Sequence, residues 1–139
     1  MEGGASNRNE SQKTFGWLGA FFLLLIIPVK AVRWITLNRS VAFVIGIAPS
    51  LLGPIGLLFL LLSSTGKLSK LSLLQITLFV GAISVALEFA QLLPRPDILA
   101  RARYTFDWYD VLASVVSVLI GYSVAHIINR RGAIGLPER

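Results

Sequence analysis

The chain has 139 residues, 55% hydrophobic and 14% charged, with a mean hydropathy of +0.73. That is too apolar for an ordinary soluble domain and describes one integral membrane domain. The net charge of +6 does not indicate nucleic acid, because Lys and Arg are scattered through every connecting segment instead of gathered on one face. Lipid headgroups are the better partner. With no Cys and a single His, disulfides, thiolate metal sites and a His-rich metal centre are excluded, and no cofactor is expected.

In chain order, the polar opening MEGGASNRNESQKT, residues 1–14, lacks apolar periodicity and is expected to be a disordered tail. A transmembrane helix needs about 20 mostly apolar residues, and four segments approach that length. The first runs from Phe15 to Val29 and can continue toward Leu37. No small-x-small cleavage pattern follows it, so it reads as an uncleaved helix, with Lys30, Arg33 and Trp34 at its headgroup-level end. Arg39 closes a short interfacial segment.

The second run, Val41 to Ser63, places Gly46, Ser50, Gly53 and Gly56 on one helical stripe suited to close helix approach, while Pro49 and Pro54 predict a kink. STGKLSK reads as a polar turn. The third run, Leu71 to Leu93, repeats polar and small residues at helical spacing: Thr77, Gly81, Ser84, Glu88, Gln91 and Arg95 share one face. The fourth, Tyr109 to Ile128, does the same with Asp107, Asp110, Ser114, Ser117 and Gly121.

If the connection from Pro94 to about Trp108 joins antiparallel helices, the two stripes face each other, with Glu88 near the level of Ser114 and Gln91 near Asp110. At about 1.5 Å per residue, Glu88 would lie roughly 8 to 9 Å inside its helix end. A carboxylate there costs up to about 2.5 to 3.5 kcal/mol at the membrane centre, so it needs a partner, a proton or water. The candidates are Gln91, Ser114, Arg95, Arg101 and Arg103. Ionisable residues inside a membrane mark a site by default; the competing reading is interhelical glue, worth about 0.6 kcal/mol per hydrogen bond on average. Asp107 can alternatively cap the fourth helix. Tyr104, Phe106, Trp108 and Tyr109 form an expected aromatic belt, and His126 reads as interfacial. Residues 15–129 thus make an all-α bundle of four transmembrane helices, followed by a short basic tail, residues 130–139.

LEFAQLL followed by RYTFDWYDVLASVVSVLIGY resembles the signature of VanZ-like membrane proteins. That signature is a Glu and a Gln three apart at the end of one helix, a basic connection, and two Asp three apart opening the next helix ahead of small residues at helical spacing. Glu88, Gln91, Asp107, Asp110 and Gly121 match in order. Ser114 stands where the family usually has Asn, and Ser117 where it usually has Gly; the connection is also longer than usual. The resemblance covers about a quarter of the chain, the stretch from Glu88 to Gly121. It implies a small bacterial plasma-membrane protein that influences glycopeptide (teicoplanin) sensitivity, and it implies no defined reaction.

With four spans both termini share one side. The terminal side carries seven Lys and Arg against six on the other, so the positive-inside rule nearly ties and favours cytoplasmic termini only if Lys30 and Arg33 extend the first helix. The leading expectation is a pocket binding an envelope lipid or lipid-linked cell-wall precursor. Arg95, Arg101 and Arg103 would take its phosphate, with Glu88, Asp107 and Asp110 positioning them. No residue set marks a nucleophile or metal, so no catalysed reaction is assigned. Two other readings are a proton-coupled small multidrug exporter centred on Glu88 and a structural or regulatory subunit. Oligomeric state is left open.

Overall fold

The computed structural model describes residues 3–35, 39–65, 68–92 and 107–134. They form four helices, α1 Gly3–Ile35, α2 Arg39–Ser63, α3 Leu73–Ala90 and α4 Trp108–Ile134, with a 3-10 turn at Leu68–Lys70 between α2 and α3. Each helix contains a stretch long and apolar enough to cross a bilayer: Glu10–Val32, Ser40–Ser63, Leu73–Ala90 and Trp108–Arg130. The protein is an all-α, multi-pass membrane protein. Large apolar side chains such as Leu78, Leu112 and Leu119 point outward, as lipid requires in place of water.

The helices do not surround the centre evenly. Among the described residues, α2 packs against α1, α3 and α4, α4 touches the other three, and α1 and α3 make no contact. α1 and α4 come together near the termini, where Phe15, Ile55, Phe59 and Ala125 form one core cluster and Phe15 stacks on Phe59 at 5.9 Å. A second cluster of Leu58, Ile76, Val80 and Val118 joins α2, α3 and α4.

Two glycines set how closely the helices approach. A Cβ on Gly19 would lie 2.7 Å from the Leu60 backbone nitrogen and 2.9 Å from the Gly56 carbonyl, so α1 and α2 touch backbone to backbone there. A Cβ on Gly121 would meet Leu58 at 2.7 Å, which keeps α4 against α2. The expected α2 stripe therefore divides: Gly56 makes the close approach, whereas a Cβ on Gly46 or Gly53 would meet nothing within 4 Å.

Pro54 accounts for Ser114 of α4. Pro54 has no N–H to give the Ser50 carbonyl, and the Ser114 hydroxyl donates to that carbonyl at 3.2 Å instead. One turn along, the Ser117 hydroxyl accepts from the Ile55 N–H at 3.1 Å and donates to the Leu51 carbonyl, inserting itself into the α2 ladder. Both serines are about 1% exposed. α3 starts at a capping box in which Ser72 accepts from the Gln75 N–H and the Gln75 side chain accepts from the Ser72 N–H.

Candidate functional site

Because α1 and α3 stand apart, a groove of about 560 Å³ opens between them, floored by α2 and closed behind by the start of α4. Its volume lies within the usual range of small-molecule sites, about 300 to 1,000 Å³. The apolar part is built by Leu23, Ile47, Pro54, Leu57 and Leu87, and the bare backbone at Gly46 and Gly53 keeps the floor low. Lys30, Ser50, Glu88, Gln91, Asp107 and Asp110 supply the polar part.

The polar end is centred on a residue that sequence spacing marks only as small. The Ser50 hydroxyl of α2 sits between two carboxylates, 3.2 Å from Glu88 Oε1 on α3 and 3.1 Å from Asp110 Oδ1 on α4. Gln91, the residue that caps α3, donates its Nε2 to the other Glu88 oxygen. Glu88 is 7% exposed, yet it lines the groove. No metal-binding group of three or more His, Cys, Asp or Glu side chains occurs among the described residues.

Depth follows from the same contacts. Ser50 is ten residues from the start of the apolar α2 stretch at Ser40, about 15 Å along the helix at 1.5 Å per residue. Glu88 is close to the end of α3, but α3 ends opposite the middle of α2.

Asp107 has a local job as well as a place in the lining. Its carboxylate accepts from the Tyr109 N–H at 3.0 Å and its carbonyl from the Asp110 N–H at 3.0 Å, so it caps α4. Ser114 and Ser117 bond the α2 backbone on either side of Pro54, and Gly121 serves α2–α4 packing. Trp108 and Tyr109 are exposed and pair edge-on with Phe89 and Phe43 at 6.1 and 5.4 Å. His126 stacks on Tyr122 at 5.9 Å, away from the groove. Arg95, Arg101, Arg103, Tyr104 and Phe106 lie outside the described residues.

Missed by spacing alone were Ser50 as the bridge, Gly19 as the α1 half of the close approach, and the dependence of Ser114 on Pro54. The absent N–H at Pro54 is a sequence signal that announces an α2 carbonyl in need of a donor. Comparison with family models, with curated proteins and with solved structures gives no match for this chain.

Proposed function

We propose that the protein binds an amphiphile of the bacterial envelope in the groove between α1 and α3, with the hydrocarbon chain along Leu23, Leu57 and Leu87 and the head at Ser50, Glu88 and Asp110. The observation that carries this is a single cavity with an apolar length and a polar end, in a helix bundle long enough to be surrounded by lipid. The motif resemblance supports a role in glycopeptide sensitivity and a plasma-membrane location. Cytoplasmic termini belong to the same proposal and rest on the count of seven Lys and Arg against six.

The test is native mass spectrometry of the protein extracted gently from its membrane, compared with a Gly46→Leu/Gly53→Leu variant whose new side chains enter the open floor. A co-purifying amphiphile on the unaltered protein, lost from the filled variant at equal abundance, is the expected result. Equal adduct patterns contradict the reading.

A second reading, proton-coupled export, is favoured by the depth of Glu88 opposite Ser50. It requires that a pH gradient across proteoliposomes drive substrate uptake, and that Glu88→Gln abolish it.

A further inference from the structure

We propose that a small cavity at the terminal end of the bundle, away from the groove, seats the head of an anionic phospholipid. The first support is level. The cavity, about 140 Å³, is lined by Ser11 and Gln12 of α1, Leu62 of α2, Leu68 of the 3-10 turn, Leu73 of α3 and Asn129 of α4, among others. These residues stand at or beside the limits of the apolar stretches, which begin at Glu10 and Leu73 and end at Ser63 and Arg130. All four helices therefore bring the cavity to the boundary where a bilayer changes from hydrocarbon to headgroups. It shares no residue with the groove between α1 and α3.

The second support is charge. Lys13, Lys70 and Arg130 are exposed, each is the chain neighbour of a lining residue, and they form no ion pair among the described residues. No lining residue is acidic. The balance holds over the whole sequence: the segments that meet at this end, 1–14, 64–72 and 130–139, carry seven Lys and Arg against three acids, Glu2, Glu10 and Glu138. Basic pockets between membrane helices hold anionic lipid heads, because Lys and Arg draw the phosphate while the chains stay in the bilayer. The third support is the surrounding surface. Leu68, Leu71 and Leu74 are exposed beside the cavity, an apolar path that serves acyl chains and that a free phosphate would not use.

The experiment uses the full chain, stripped of lipid in nonionic detergent. Dissociation constants are measured by calorimetric titration with three probes: short-chain phosphatidylglycerol, phosphatidylcholine with the same chains, and inorganic phosphate. The unaltered protein is expected to bind phosphatidylglycerol about tenfold or more tighter than phosphatidylcholine, a preference that shrinks as salt shortens the Debye length from about 10 Å at 0.1 M to about 3 Å at 1 M. At about fivefold per basic side chain, Lys13→Gln/Lys70→Gln/Arg130→Gln should lose at least about tenfold for phosphatidylglycerol and stay within about twofold for phosphatidylcholine. Asn129→Phe, which fills the cavity, should weaken both lipids. Equal binding of the two lipids by the unaltered protein, or of neither, overturns the proposal. So does a preference that the triple variant leaves intact, or phosphate binding as tight as that of phosphatidylglycerol. A preference lost in the triple variant and unchanged by Asn129→Phe overturns the cavity as its seat. If a variant does not fold, the salt series on the unaltered protein decides, a salt-independent preference counting against the site. Neither variant alters a groove residue, so the outcome is independent of what the groove binds.

Discussion

Truncating Ser114 to Ala should matter only because Pro54 is where it is. Ser114 is about 1% exposed and its hydroxyl is the donor 3.2 Å from the Ser50 carbonyl, which the missing Pro54 N–H leaves without its helical partner. A buried acceptor left unmade costs about 1 to 3 kcal/mol in general, and measured hydrogen bonds between membrane helices average about 0.6 and reach about 1.7. Ser114→Ala is therefore expected to cost about 1 kcal/mol, a fivefold shift in the unfolding equilibrium. In a Pro54→Ala background the new N–H can reach the Ser50 carbonyl, and the same truncation should cost under about 0.3 kcal/mol. The assay is reversible unfolding in mixed micelles, run as a double-mutant cycle. Equal losses in both backgrounds would refute the claim that Ser114 is there to serve Pro54.

Other substitutions separate packing from site. Gly19→Ala places a Cβ against the α2 backbone and is expected to cost about 1 to 3 kcal/mol in the same unfolding assay, whereas Gly46→Ala enters open space and should be neutral within about 0.5 kcal/mol. Ser50→Ala removes the hydroxyl between Glu88 and Asp110 and is expected to destabilise by about 1 to 3 kcal/mol, with Ser50→Thr retaining most of the stability; equal losses would show that the hydroxyl is not what matters. Glu88→Gln and Asp110→Asn, assayed in cells for protein level and glycopeptide sensitivity together, should change sensitivity at normal abundance. A parallel fall in both would assign the acids to structural glue.

Hydropathy made the four spans legible, and helical spacing found the buried faces of α3 and α4: Thr77, Ser84, Glu88, Ser114 and Ser117 are all buried. What spacing cannot supply is the neighbour. α3 and α4 are adjacent in sequence, so their stripes invited direct pairing, yet the residue joining Glu88 to Asp110 comes from α2, which runs parallel to α4 and is separated from it by a whole helix. Ser50 sits among glycines and prolines and is indistinguishable by size from a packing residue; only its depth opposite two carboxylates gives it a role. The glycine stripe shows the same limit, since Gly46, Gly53 and Gly56 share a face while the first two border a void and the third touches Gly19. Periodicity fixes which residues point together, and the chain's three-dimensional course decides what they meet.

The central claim, that a hydrocarbon chain occupies the space between α1 and α3, is tested most directly by photo-crosslinking. A dodecanol carrying a diazirine near its chain end would be irradiated with the protein in nonionic detergent and the adducts mapped by mass spectrometry. The account predicts adducts concentrated on the groove residues Leu23, Leu57 and Leu87, suppressed by Gly46→Leu/Gly53→Leu. Adducts spread equally over outward-facing residues such as Leu78, Leu112 and Leu119, unchanged by filling the groove floor, would contradict it.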